Sequence, residues 1–90
     1  FSMFSGETQK VTFEMTSDLI DVIFDKFGEK TKIADIGNNK IQFSAEVQIS
    51  NMFFGWCCSF GDKMKIVAPR ELKNQFIEYL QTLSTMYTVD

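Results

Sequence analysis

Lys40-Ile41-Gln42-Phe43-Ser44-Ala45-Glu46-Val47-Gln48-Ile49 alternates without a break, apolar at odd positions and polar or charged at even ones. That period of two belongs to a long strand with one buried face and one wet face, the pattern of an antiparallel sheet. On its N-terminal side Gly37-Asn38-Asn39 tolerates positive φ and marks a tight hairpin turn. The partner strand entering that turn is read over Thr31 to Ile36. It is the weaker of the two, because Ile33 and Ile36 cannot both face a core without a bulge or an edge position.

On the C-terminal side, Ser50 to Asp62 holds the single Trp and both Cys, and no charged residue lies between Glu46 and Asp62. About a quarter of residues in an average soluble domain are charged, so this gap calls for a cause. Ser50 or Asn51 can cap a helix here, and Gly61 can end it. A wheel gathers Met52, Phe53, Trp56, Cys57 and Phe60 into one arc, the expected core face. Phe54 and Cys58 fall outside it. A helix lacking a charged face is one covered on both sides, so these two meet either a partner subunit or adjacent domain, or the last helix of the same chain. On the former reading Phe54→Asp loosens self-association more than folding.

Further out, Val11, Phe13 and Met15 alternate with Lys10, Thr12 and Glu14 in a first strand starting at Gln9. Thr16, Ser17 and Asp18 carry N-cap chemistry, and Leu19, Ile20, Ile23, Phe24 and Phe27 share one helical face. Asp18, Asp21 and Asp25 lie opposite, as a solvated face without the base or nucleophile that catalysis needs. Gly28 ends this helix as a left-handed residue. Lys63 to Ala68 reads as a strand with Met64 and Ile66 inward. Pro69 is placed at the first position of a last helix, whose stripe runs through Leu72, Phe76, Leu80, Leu83 and Tyr87.

The order strand, helix, strand, strand, helix, strand, helix predicts an α+β, ferredoxin-like β-α-β-β-α-β domain, with a four-stranded antiparallel sheet, helices on one face and a C-terminal helix added. Right-handed crossovers set which face the helices cover. Residues 1–8 are read as a linker and residues 9–90 as the domain. The open sheet face would carry Lys10, Lys63 and Lys65 as candidate ligand-facing groups, mixed with Glu14 and Glu46. It offers no aromatic for base stacking, which disfavours an RNA reader.

With nine basic and twelve acidic residues the net charge is -3, and no basic stripe forms, so direct phosphate binding is disfavoured. Two adjacent Cys make no disulfide framework, and without His they cannot complete a zinc site. A reducing cytoplasm is the simplest setting. No metal, cofactor or enzymatic activity is expected.

Several features taken together resemble a known family. They are Phe1, Met3, Phe4, Ser5 and Gly6 before the first strand, Asp25-Lys26-Phe27-Gly28, Phe54-Gly55-Trp56 leading to Ser59-Phe60-Gly61-Asp62, the strand Met64 to Val67, and Pro69 to Leu72 opening a helix that ends near Tyr87. The chain resembles the C-terminal extension, or WCX, domain of bacterial WYL-type transcriptional regulators. The resemblance implies WYL and winged helix-turn-helix domains upstream of Phe1, DNA contact through the latter alone, and a role in dimerisation and effector response. Phe1 and Phe4 then become further candidate interface residues beside Phe54 and Cys58. Ala68 stands where related chains often have a capping Ser. The alternative is a stand-alone, ACT-like small-molecule sensor on the same fold.

Overall fold

The computed structural model describes residues 8–88, so the expectations at Phe1 and Phe4 fall outside the described residues. β1 spans Thr8–Thr16, and after a 3-10 turn at Ser17–Leu19 the helix α1 runs Ile20–Phe27. β2 is Ala34–Gly37 and β3 is Lys40–Gln48. α2 spans Asn51–Cys58, a second 3-10 turn covers Gly61–Lys63, β4 is Met64–Ala68, and α3 runs Arg70–Thr88.

All strand pairs are antiparallel, in the order β2-β3-β1-β4. With the intervening helices this is the ferredoxin-like arrangement. Register follows the alternation: Val11 faces Ala45, Phe13 faces Phe43, and Met15 faces Ile41 across β1 and β3. The odd residues of both strands therefore enter one core, with Ile23, Phe53, Phe54, Cys57, Ile66 and Leu72 packed over them. Phe13 is the hub of this core. Its ring stacks on Phe43 at 5.0 Å and meets Phe53 and Trp56 edge-on at 6.0 and 6.1 Å.

Local chemistry explains the turns. Asn38 and Asn39 both have positive φ, 57° and 60°, which gives a two-residue hairpin loop the twist its strands require. The Gly37 N–H donates to Asp35 Oδ1 at 2.9 Å. A register shift lies between Asp35 and Gly37, but it does not bring Ile36 inward, since Ile36 is exposed and β2 is an edge strand. Gly28 ends α1 with φ 100° and ψ 153°, its N–H bonded to the Phe24 carbonyl. The positive φ is as expected, but the extended ψ turns the chain out of the helix, unlike a left-handed cap.

Several boundaries differ from the sequence reading. β1 begins at Thr8, a residue assigned to the linker, and α2 ends at Cys58 with Ser59 as its cap, so that Gly61 opens the following 3-10 turn instead of closing the helix. β2 begins at Ala34 rather than Thr31, because the chain is tied down by the Thr31 hydroxyl donating to the Gly28 carbonyl and joins the sheet only three residues later. The first helix opens with a 3-10 turn, where the Thr16 hydroxyl engages the Asp18 carboxylate and caps no helix N–H. Lys63 belongs to the 3-10 turn before β4. Pro69 is the cap of α3 rather than its first residue, since its carbonyl accepts the first helical bond from Lys73 N–H at 3.1 Å. Ala68 then lies outside the helix, and the missing Ser there costs no cap. Among the described residues, no helix is long and apolar enough to cross a membrane.

Candidate functional site

α2 is started by its own sequence. The Ser50 side chain accepts the Phe53 N–H at 3.1 Å, satisfying one of the donors that a helix start leaves open. Phe53 and Trp56 then lie over Phe13 and Phe27, while Phe54 points to the other side and meets Phe76 and Tyr79 of α3 at 5.2 and 5.0 Å between ring centroids. α2 thus packs on the sheet and on α3 through Phe53, Phe54, Trp56 and Cys57, while Asn51, Met52, Gly55, Cys58 and Ser59 are exposed, so packing accounts for only part of the missing charge.

This corrects two expectations. Phe54 is fully buried inside its own chain and is not a surface contact, and Met52 is 86% exposed rather than core. Both have one cause. Because α3 takes the adjoining face, the buried arc of α2 is centred on Phe53, Phe54 and Cys57, a rotation of roughly 75° from the arc expected for packing on the sheet alone. Cys58 lies past the edge of that arc and is exposed. Its neighbour Cys57 is buried, and loss of solvation, with Cys58 adding to it, pushes the Cys57 thiol from 9.0 up to about 12. Cys57 is a neutral packing group.

The three expected sheet cations do not gather. Lys63 pairs with Asp18 at 3.1 Å, and that contact together with the Thr16 hydroxyl holds the Asp18 carboxyl below its usual range, the Thr16 bond counting for more. Lys65 lies opposite Glu14, which also receives Lys40 at 3.4 Å. Lys10 is at the far end of β1, in a groove of about 530 Å³ shared with Lys32, Thr12, Gln42 and Ser44. Lys32 was not singled out in the sequence, because it stands in a connection whose path depends on where β2 begins. A second groove of about 540 Å³ is lined by Lys26, Phe27, Glu46, Met52 and Trp56, with Lys26 Nζ 5.0 Å from the centre of the Trp56 ring. Among the described residues no group of three or more His, Cys, Asp or Glu is placed to hold a metal ion.

Apart from Met52 and Ile36, the exposed large apolar side chains among the described residues are on α3. Leu72 is buried and Phe76 and Tyr79 pack on the core. From Leu80 the helix continues for roughly two turns with Leu80, Met86 and Tyr87 exposed, Met86 at 63% and Tyr87 at 83%, and Ile77 joins them one turn earlier. No residue from Tyr79 to Thr88 is charged. That second gap in charge was the available signal for this surface, and the sequence reading placed Leu80, Leu83 and Tyr87 on a docked stripe instead.

A small α+β domain with a ferredoxin-like sheet and a C-terminal helix whose end exposes apolar side chains fits the class of regulatory and interaction domains. The chain belongs to the WCX domain family, whose model matches residues 7–84. WCX domains are regulatory domains of WYL-type transcriptional regulators. Comparison with curated proteins finds no match.

Proposed function

We propose that this chain is the C-terminal regulatory and assembly domain of a WYL-type regulator that acts in the cytoplasm, follows a WYL domain and a winged helix-turn-helix domain, and reaches DNA only through the latter. Two copies pair through the distal half of α3. An effector bound upstream shifts the population between packings of this domain on its partner and so repositions the DNA-binding heads. The observation that carries the reading is the uncharged end of α3, where Leu80 and Tyr87 are exposed on the same side of the helix as Ile77. Apolar side chains clustered on one exposed helical face are a recurrent form of interaction surface.

Sedimentation velocity on the chain and on a Leu80→Glu, Tyr87→Glu double variant tests it. The expected result is concentration-dependent dimerisation of the unmodified chain and a monomeric variant that keeps its thermal midpoint. A chain that stays monomeric at the highest concentration reached, or a variant that pairs as before, contradicts it.

A further inference from the structure

β3 is longer than the strand that covers its outer side. β2 pairs only with Lys40, Ile41 and Gln42, while β1 pairs with β3 along its whole length. The phase of the ladder is set where it runs off the end, with the Ser17 N–H donating to the Asn39 carbonyl at 2.8 Å. Backbone groups alternate in direction along a strand, so the odd residues of β3 bond to β1 and the even ones point outward. Among the described residues no strand pairs with Ser44 or Glu46 on this side, so both present N–H and C=O at an open edge, and both are exposed. Unpaired edges of this kind are templates for another strand.

The two grooves described above flank this edge. One holds Lys10, Thr12, Lys32, Ala34 and Ser44 beside the start of β2, and the other holds Lys26, Phe27, Glu46, Val47, Met52 and Trp56 at the far end of β3. Between them lies the space that a longer β2 would fill. Its walls differ in character: Phe27, Met52 and Trp56 offer apolar area on the helix side, and hydroxyls with Lys10 and Lys32 line the other. In a chain of net charge -3, this channel has three lysines against one glutamate. Glu46 stands across from Lys10 in the ladder, which leaves Lys26 and Lys32 as its uncompensated charges.

We infer that the open edge of β3 binds an extended acidic peptide segment as a fifth strand, with main-chain hydrogen bonds at Ser44 and Glu46, alternate apolar side chains on Phe27, Met52 and Trp56, and acidic side chains toward Lys32. Strand addition of this type takes its affinity from the main chain and its selectivity from the flanking side chains. The inference goes beyond the assembly reading and does not rest on it, since the edge of β3 and the end of α3 are separate surfaces.

The test titrates the isotope-labelled chain with a capped hexapeptide alternating Asp and Val, following Trp56 fluorescence and hydrogen exchange at the Ser44 and Glu46 amides. A lysine-for-aspartate peptide and a peptide N-methylated at alternate residues serve as comparisons. The expected result is saturable binding that slows exchange at both amides, about tenfold weaker for the N-methylated peptide, which loses its main-chain donors. Lys32→Glu weakens binding about tenfold. Glu46→Pro removes an outward N–H at an edge position that accepts proline, and should abolish binding while leaving the thermal midpoint near its original value. Absence of saturable binding, equal affinity for the lysine peptide, or unchanged exchange at the two amides would overturn the inference. So would protection of those amides that rises with protein concentration without peptide, which would place a second copy on the edge.

Discussion

Phe54→Ala lowers the unfolding free energy of this domain by about 3–5 kcal/mol, the usual range for truncating a fully buried phenylalanine. Phe54 has no exposed surface, and its ring is the main link between α2 and α3 through Phe76 and Tyr79. Removing it leaves a void between two helices, and α3 has few other holds, of which buried Leu72 is the chief one. Domains of this size have total stabilities of about 5–15 kcal/mol, so the loss is a large fraction. Each kcal/mol lowers the thermal midpoint by roughly 4–8 °C. Chemical denaturation with far-ultraviolet dichroism checks the value. A loss under about 1 kcal/mol would mean that α3 does not depend on this contact. The same burial reverses the ranking that the uncharged run suggested: Phe54→Asp should prevent stable folding before any effect on self-association can be read.

Phe13→Ala is expected to be at least as damaging, again about 3–5 kcal/mol. Phe13 lies on the central strand, fully buried, with its ring against Phe27, Phe43, Phe53 and Trp56. These aromatic pairs are worth about 0.5–1.5 kcal/mol each beyond their buried area, and their loss is not additive because they share one ring. Phe13→Leu keeps most of the volume and should cost less than half as much. Trp56 reports both changes, since its indole meets Phe13 edge-on. The alanine variant should red-shift its emission while still folded, and an unshifted spectrum with unchanged stability would remove Phe13 from its place as hub.

The parts of this fold legible in the sequence are those decided within one element. The alternation at Ile41 to Ile49 foretold which face of β3 is buried, and Gly37-Asn38-Asn39 foretold the hairpin. The parts misread are those decided between elements. The direction of Phe54 and Met52 depends on where α3 docks, and nothing within Ser50 to Asp62 encodes that. Lys63 was assigned to a strand because alternation across Lys63, Met64 and Lys65 looks the same whether or not its first member pairs. The overhang of α3 was hidden by periodicity, because a stripe looks identical whether a sheet or solvent lies beneath it. Charge was the better guide, and Tyr79 to Thr88 lacks it as completely as Ser50 to Gly61 does. The open edge at Ser44 and Glu46 was also out of reach, since it exists only because β2 stops short.

The central claim is that the aromatic side chains of one uncharged segment, Phe53 and Phe54, are consumed inside the chain, and the end of the other is offered to a second copy. Hydrogen exchange along α3, measured over a range of protein concentrations, tests this most directly. The account predicts that amides up to Tyr79 are protected at every concentration, whereas those from Gln81 to Thr88 exchange rapidly in dilute solution and gain protection as the concentration rises. Protection of the distal amides that is constant across the range would contradict it.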